Sequence, residues 1–488
     1  MSRSARRLIP LGLAAGAAVA LRRRRAGSGR RPRPGQALRT TSRAARNVEI
    51  AALSARVGTA TTLTRARQVF ASAERRSALD RELQLRTAED VARTLGEMKG
   101  ALMKLGQMAS YLDHGLPEPL RLALAQLQAD APPMSVELAE RTVTEELGRP
   151  PRELFAEWDP DPIAAASIGQ VHRAITADGR AVAVKVQYPG VADAIAADLG
   201  NADLLFGALG LAFPGLEPAP ITAELRARIT EELDYRNEAA NQELFARYYA
   251  GHPFIHIPAT VPELCTGRVL TTELVSGAGF DEVLRWPARE RDLIGETLFR
   301  FVFGSLYRLH AFNGDPHPGN YLFHGDGRVT FLDFGLVRRF DDAEVAAFRR
   351  MVTEMVVNDD AEAFRRAVED IGMLARGAPV STEAVGEYFG HFYRFVRRRG
   401  RFTWDTEYAT ATVRQTFDAS SPVTRHTTVP ASFVLIQRIN LGLYALLGQL
   451  GATGDWRALA EDVWPWIDVP ADTELARRHA AWRADRAG

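Results

Sequence analysis

Residues 313–335 read NGDPHPGNYLFHGDGRVTFLDFG, and the fold can be worked out from this stretch. Asp315 and Asn320 stand five positions apart in a segment rich in proline and glycine, which favours a loop. Asp333 follows the apolar run 329–332, and the interval between Asn320 and Asp333 has room for one hairpin. Mg²⁺ bound beside phosphates needs few protein ligands, so one Asp and one Asn suffice. The stretch therefore predicts a metal-assisted phosphate site.

A second candidate feature is the strand pattern Val182-Ala183-Val184-Lys185. Strand alternation places the valines on a face that suits a core, and Ala183 and Lys185 on the other face. Small Ala183 leaves room for a flat ring, and the Lys185 ammonium beside it suits a phosphate. The chain has 61 basic residues but only three lysines, Lys99, Lys104 and Lys185, so arginine is the default here. As a lone motif, the pattern also fits an ordinary edge strand.

The order of these residues along the chain matches the order of the catalytic groups in protein kinases. In such a site Lys185 holds the α- and β-phosphates of ATP. Asp315 orients an acceptor hydroxyl or a water molecule, while Asn320 and Asp333 hold the metal. Three motifs in the right order argue against a chance match, and they predict phosphoryl transfer or ATP hydrolysis.

Two features depart from ordinary protein kinases. Where a glycine-rich loop should precede Lys185, residues 164–170 read AAASIGQ and contain a single glycine, Gly169. The Cβ atoms of such an alanine loop crowd and stiffen it. No A-P-E motif follows Asp333; Arg338 and Arg339 lead directly into a helical pattern. The segment that would cradle a peptide is missing, so no peptide substrate is expected.

The chain resembles the UbiB/AarF-type atypical kinases, which are associated with coenzyme Q biosynthesis. The resemblance covers roughly residues 90–340 and rests on four motifs: Lys104-Leu105-Gly106-Gln107, the alanine loop at 164–170, Glu232-Leu233-Asp234, and Asp315 to Asn320 with Asp333. It implies an α+β, protein-kinase-like bilobal fold with an added helical N-terminal extension over the active site. It also implies use of ATP (or ADP) and Mg²⁺, and a lipid or isoprenoid-quinone precursor as partner.

The same resemblance implies a set of nucleotide-site residues. Lys104 and Gln107 enter the cleft from the extension, where Lys104 either stabilises the transferring group or blocks the productive pose. Glu232 and Asp234 join them. The other expected nucleotide contacts are Ala164, Ala165, Ala166, Ser167, Gly169 and Lys185, with Glu238 added on the ground of helix geometry. Such families usually carry His-Ala before the catalytic aspartate, whereas Asn313-Gly314 stands here; Asn can hydrogen-bond but cannot hold a proton.

Helix geometry refines the choice of a partner for Lys185. At about 100° per residue, Glu231, Asp234 and Glu238 share one stripe of a regular helix, while Glu232 lies off it. A regular helix therefore predicts that Asp234 and Glu238 face the cleft, with Glu238 paired to Lys185. Glu232 can join only at a helix irregularity. The alternative is that this acidic stretch is a solvated face.

The net charge of +1 hides an uneven distribution. Residues 1–46 contain 13 arginines and no Asp, Glu or Lys, so the remaining chain carries 48 basic and 60 acidic residues (61 − 13 = 48) and is acidic. The apolar run 8–21 is shorter than the roughly 20 residues of a spanning helix. We expect the basic head to lie on an anionic membrane surface; a passive tail is the alternative, and no nucleic acid is expected because aromatic residues are absent. The expected location is cytoplasmic and peripheral to the membrane.

These observations predict four segments: a basic head at 1–46, a helical extension carrying K-x-G-Q at 47–150, a sheet-bearing lobe at 151–275, and a helical lobe at 276–475. The leading function is an ATP- and Mg-dependent kinase or ATPase acting in isoprenoid-quinone or lipid metabolism. Two alternatives remain open. One is a nucleotide-gated lipid-binding or chaperone-like module with little turnover, and the other is a phosphotransferase for small alcohols.

Overall fold

The computed structural model describes residues 43–68, 71–97, 134–166, 168–192, 230, 232–416, 421–428 and 431–487. Lys104, Gln107 and Ser167 lie outside these ranges, as does almost all of the basic head. The first described helices are α1 (Arg43–Gln68) and α2 (Ala73–Glu97), which pack against each other. Helix α1 begins inside the segment predicted as the head.

The sheet-bearing lobe is a four-stranded antiparallel sheet. Its strands are β1 (Phe155–Ala165), β2 (Gly169–Thr176), β3 (Ala181–Gln187) and β5 (Val269–Glu273), in the order β1-β2-β3-β5. Helix α3 (Val136–Leu147) covers one face of this sheet. The valines of β3 are buried there with residues of α3 and β5, as strand alternation predicts.

The alanine loop expected at 164–170 lies at the turn of a hairpin formed by β1 and β2. The turn is closed by a backbone hydrogen bond from the Ala166 N–H to the Gly169 carbonyl, 2.8 Å long. Position 169 has no room for a side chain, because a Cβ atom would lie 2.4 Å from the Val186 carbonyl oxygen. Glycine is therefore required where the alanine loop meets β3.

Helix α4 (Tyr235–Tyr248) connects the two lobes. Tyr235 and Glu238, in its first turn, face the sheet, while Phe245 is fully buried in the apolar core of the helical lobe. The remaining helices form that lobe: α5 (Ala288–Gly304), α6 (Asp342–Val352), α7 (Ala361–Asp370), α8 (Thr382–Gly390), α9 (Thr406–Thr416), α10 (Ala431–Leu450), α11 (Trp456–Val463) and α12 (Glu474–Ala487).

Short strands on the helical lobe position the candidate catalytic residues. They are β4 (Ile255–His256), β6 (Ala311–Asn313), β7 (Tyr321–Phe323), β8 (Val329–Phe331) and β9 (Val337–Arg339); β10 (Phe402–Thr403) and β11 (Thr453–Gly454) pair elsewhere. Strands β7 and β8 form the single hairpin expected between Asn320 and Asp333. Strand β6 pairs with β9, so the chain before Asp315 lies beside the chain that follows Gly335.

The chain enters α6 soon after β9, which confirms the helical pattern expected there. Asp341 and Glu344 form a capping box at the start of this helix. The fold is thus α+β and kinase-like, with two lobes and helices preceding the sheet. Within the described residues, no helix is both long and apolar enough to cross a membrane.

Candidate active site

A buried ion pair joins the two lobes at the centre of the site. The Lys185 Nζ lies 2.8 Å from Glu238 Oε1 and 2.9 Å from Oε2, and the Glu238 side chain is only 7% exposed. The Tyr235 ring lies beneath the ammonium, with its centroid 5.0 Å from Nζ. The ion pair expected from strand alternation and residue spacing is therefore present.

The continuous helix that was assumed in predicting Glu238 as the partner of Lys185 is interrupted before Tyr235. The chain turns at Leu233, and Asp234 is the N-cap of α4, where its side chain accepts a hydrogen bond from the Arg236 N–H at 3.1 Å. An aspartate in extended conformation satisfies a free N–H group at a helix start, and this competes with its place inside a helix. Asp234 therefore lies beside Arg236 and Gly267, and the prediction that it faces the cleft in a regular helix with Glu238 is wrong.

The same break lets Glu232 approach the ion pair. Burial raises the pKa of Glu238 to about 7, and the negative charges of Asp333 and Glu232 add to the rise while Lys185 opposes it. Burial alone would lower the pKa of Lys185, but Glu238 and Asp333 raise it well above its usual value, so the ammonium stays charged. Lys185 thus lies between two carboxylates, Glu238 and Asp333, and Glu232 adds negative charge near Glu238.

Asp333 lies next to this pair. Its Oδ2 is 3.8 Å from the Lys185 Nζ, and its Oδ1 accepts a hydrogen bond from the Gly335 N–H at 2.9 Å. Phe334 is completely buried, with its ring 5.0 Å from that of Phe245 on α4. Asn241, also on α4, donates a hydrogen bond to the Phe334 carbonyl at 3.2 Å. The helix that supplies Glu238 therefore also holds the Asp333 segment in place.

The catalytic-loop candidates are tied to each other. The Asn320 Nδ2 donates to Asp315 Oδ2 at 2.9 Å and to the Asp315 carbonyl at 3.2 Å. The amide oxygen Oδ1 of Asn320 accepts no hydrogen bond from any described residue, so it is available as a metal ligand. The Leu332 N–H donates to the Asn320 carbonyl at 2.9 Å, which places this asparagine directly beside the Asp333 segment.

Asn313 links the loop that carries Asp315 to the segment that carries Asp333. Its Nδ2 donates to the Asp333 carbonyl at 2.6 Å, and its Oδ1 accepts a hydrogen bond from the Asp315 N–H at 3.3 Å. In the sequence alone, Asn313 stands where a residue able to hold a proton is usual. In the structure, a neutral amide suits this position because its NH₂ group donates one hydrogen bond and its oxygen accepts the other.

Comparison with known proteins finds a related fold and related sequences. The complex structure of Rv3197 with erythromycin from Mycobacterium tuberculosis superposes with a TM-score of 0.61 at 32% identity, covering 81% of this chain and 100% of that one. A family model described as the ABC1 atypical kinase-like domain matches residues 126–367. The chain belongs to the UbiB/AarF family of atypical kinases.

Curated relatives of this UbiB/AarF chain carry kinase names. The rat atypical kinase COQ8B, mitochondrial, is 38% identical over 256 residues, which are 52% of this chain and 48% of the rat protein. The Saccharomyces cerevisiae atypical kinase COQ8, mitochondrial, is 29% identical over 281 residues, or 57% of this chain and 56% of the yeast protein. The matched region thus spans about half the length of these relatives.

The alanine loop of this UbiB/AarF member is short and closed. Ala164 and Ala165 are exposed at the end of β1, Ala166 is half-buried, and the Ala166 N–H is already bonded to the Gly169 carbonyl. Gln170 points away from the loop, because its Oε1 accepts a hydrogen bond from the Met134 N–H at 2.8 Å. Fewer backbone N–H groups remain for phosphates than in an open glycine-rich loop.

Proposed function

We propose that this UbiB/AarF chain binds Mg-ATP between its two lobes and transfers or hydrolyses the terminal phosphoryl group. Family membership supports kinase-like phosphotransferase or ATPase activity in general. The observation that carries the finer proposal is the contact of Lys185 with both Glu238 and Asp333 beside the Asp315–Asn320 loop.

The residues present fit a bound magnesium ion. Asp333 Oδ2 and Asn320 Oδ1 would hold the ion, which supplies charge neutralisation on the phosphates when it is bound. No group of three His, Cys, Asp or Glu within the described ranges has metal-site geometry, so phosphate and water oxygens would complete its coordination. Lys185 would hold the α- and β-phosphates, and Asp315 would orient the acceptor hydroxyl or water.

We also propose a small or lipid acceptor, with a role in isoprenoid-quinone or related lipid metabolism. The support is the short connection from Gly335 through β9 to α6, which leaves little chain to cradle a peptide. We further propose a location peripheral to a membrane, through the basic residues 1–46. The rat and yeast relatives are named as mitochondrial proteins.

One observation favours the alternative of a nucleotide-gated lipid-binding module. In the closed alanine loop the Ala166 N–H is already bonded, so fewer N–H groups are free to bind phosphates than in the glycine-rich loop of a kinase. Such a module would bind Mg-ATP and release it with little turnover.

An ATP hydrolysis assay on the full chain separates these functions. We expect Mg-dependent release of phosphate that increases when anionic liposomes carrying an isoprenoid-quinone precursor are added. Transfer of ³²P from labelled ATP to the extracted lipid would identify a kinase reaction. Tight ATP binding without turnover under any of these conditions would favour the module, and failure to bind ATP would contradict both.

A further inference from the structure

The helical lobe contains a second cavity, of about 450 Å³, away from the nucleotide cleft. Its walls come from α5, α6, α8, α10 and α11, and Lys185, Glu238, Asp315, Asn320 and Asp333 are not among its lining residues. The lining is dominated by Phe and Tyr side chains. Ligand pockets in proteins commonly have volumes of about 300–1,000 Å³, and protein interiors contain few large voids. A largely apolar space of this size suits a ligand.

Two tyrosines that line this cavity have hydroxyls with no hydrogen-bond partner among the described residues. Neither Tyr307 nor Tyr393 uses its hydroxyl in a hydrogen bond to any residue of the described ranges, although Tyr307 is only 6% exposed. Buried tyrosine hydroxyls usually find a partner. Two such donors in one cavity indicate a ligand that brings hydrogen-bond acceptors.

A third polar group lies on α10. The amide oxygen Oδ1 of Asn440 is buried and has no hydrogen-bond partner among the described residues, and Asn440 lines the cavity. An unsatisfied buried amide oxygen costs about 1–3 kcal/mol. Asn440 can swing its amide so that a ligand meets either the oxygen or the NH₂ group.

The helices around the cavity carry two irregular turns. A π-helical turn at Ser305–Leu309 follows α5 and supplies Leu306 and Tyr307 to the lining. Another π-helical turn, at Thr353–Val357, directly follows the lining residue Val352 of α6. π-Helical turns are rare and occur frequently at functional sites. Their position beside the cavity is independent of its volume and of its free hydroxyls.

We propose that this cavity binds a neutral lipid whose ring or head group carries carbonyl or ether oxygens. The apolar part would pack among the phenylalanines, and the oxygens would accept hydrogen bonds from Tyr307 and Tyr393. The inference rests on the proposed function for the choice of a lipid, and it deepens that function by giving the lipid a site in the chain. This lipid is a different molecule from the nucleotide and would bind at a different site.

Decylubiquinone is a suitable probe because it combines a ring bearing two carbonyl groups with a ten-carbon chain. The full chain is titrated with it by calorimetry, without nucleotide, and by quenching of tryptophan fluorescence, since Trp464 lines the cavity. We expect saturable binding with one molecule per chain. Absence of saturable binding overturns the proposal.

Two variants test where the probe binds. Ala460→Phe places a ring into the cavity from α11 and should abolish binding, because Ala460 is a buried lining residue. The double variant Tyr307→Phe/Tyr393→Phe keeps the volume of the cavity and should weaken binding at least tenfold. It is expected to fold even if Ala460→Phe does not. Tyr248→Phe, on α4 outside the cavity, is the matched control and should bind as the unmodified chain does. Unchanged affinity in the double variant would mean adventitious binding elsewhere and would overturn the proposal.

A thermal-shift measurement with Mg-ATP on the same samples separates the two proposals. Stabilisation by Mg-ATP without any binding of decylubiquinone contradicts the lipid site alone. Binding of decylubiquinone at the cavity without stabilisation by Mg-ATP supports the lipid site and contradicts the proposed nucleotide function.

Discussion

The cleft between the lobes contains charged side chains, whereas the cavity of the helical lobe is lined mainly by aromatic side chains. The cleft brings together Lys185 and several carboxylates, held by strand ends, loops and the start of α4. The cavity is formed by aromatic side chains on the faces of helices, with few polar groups. The comparison sets a charged cleft, where we propose that phosphates bind, against a largely apolar cavity, where we propose that a lipid binds.

The largest expected effect concerns the cleft. Asp315→Asn keeps the shape of the side chain but removes the carboxylate that orients the acceptor, so turnover should fall by about 10²–10⁴-fold with little change in ATP affinity. Steady-state ATP hydrolysis and ATP titration measure the two quantities. Decylubiquinone affinity should stay the same, because the cavity lies elsewhere in the fold.

Asp326→Asn is a matched control for that change. Asp326 lies in the turn between β7 and β8 with φ of 61°, a conformation that asparagine tolerates well. We expect normal turnover in this variant. Equal losses in the two variants, or full activity of Asp315→Asn, would contradict the role of Asp315.

A smaller effect is expected where the two regions touch. Helix α10 lines the cavity on one side, and on another side Gly442 packs against Pro316, where a Cβ atom would lie 2.2 Å from Pro316 Cγ. Gly442→Ala must displace the Asp315 loop, so turnover should fall by up to about 10²-fold, since displacements near 1 Å can have such effects. Gly386→Ala, in α8 with no neighbour within 4 Å, is the control. Normal turnover in Gly442→Ala would show that α10 and the loop move independently.

The smallest expected effect is at Asn313. Asn313→Ala removes the hydrogen bonds that join the Asp315 N–H and the Asp333 carbonyl, which should reduce turnover by about tenfold. Asn313→Asp provides a control, because it keeps the acceptor but loses the donor to Asp333. Hydrolysis that is fastest in the unmodified protein, slower in Asn313→Asp and slowest in Asn313→Ala would support the bridging role. Equal rates in all three proteins would contradict it.

Much of the cleft was predictable from sequence because its residues obey local rules. Strand alternation in β3 was sufficient to orient Lys185, and the interval after Asn320 was sufficient for one hairpin. Glu238 was the correct partner although the continuous helix assumed in choosing it is interrupted before Tyr235. The break before α4 was not predictable, because Asp234 can serve either as a cap or as a helical residue. The alanine loop 164–170 was expected from the sequence, but its form as a tight hairpin turn was not, because alanines carry no turn signal and a backbone hydrogen bond closes it.

Long-range contacts explain what the sequence could not provide. Asn313 bonds to Asp333, which lies 20 positions away, and the pairing of β6 with β9 brings these two parts of the chain together. The cavity has no motif at all, since its lining residues are spread over five helices and are brought together by packing. Lys104, Gln107 and Ser167 lie outside the described residues, so their roles stay predictions.

The most direct test of the central claim is the magnesium dependence of ATP binding to the full chain. ATP is titrated by calorimetry with and without Mg²⁺, for the unmodified protein and for Asp333→Asn. We predict that Mg²⁺ tightens ATP binding at least tenfold in the unmodified protein and has no effect in the variant. Equal tightening in both proteins would contradict the assignment of the metal site to Asp333.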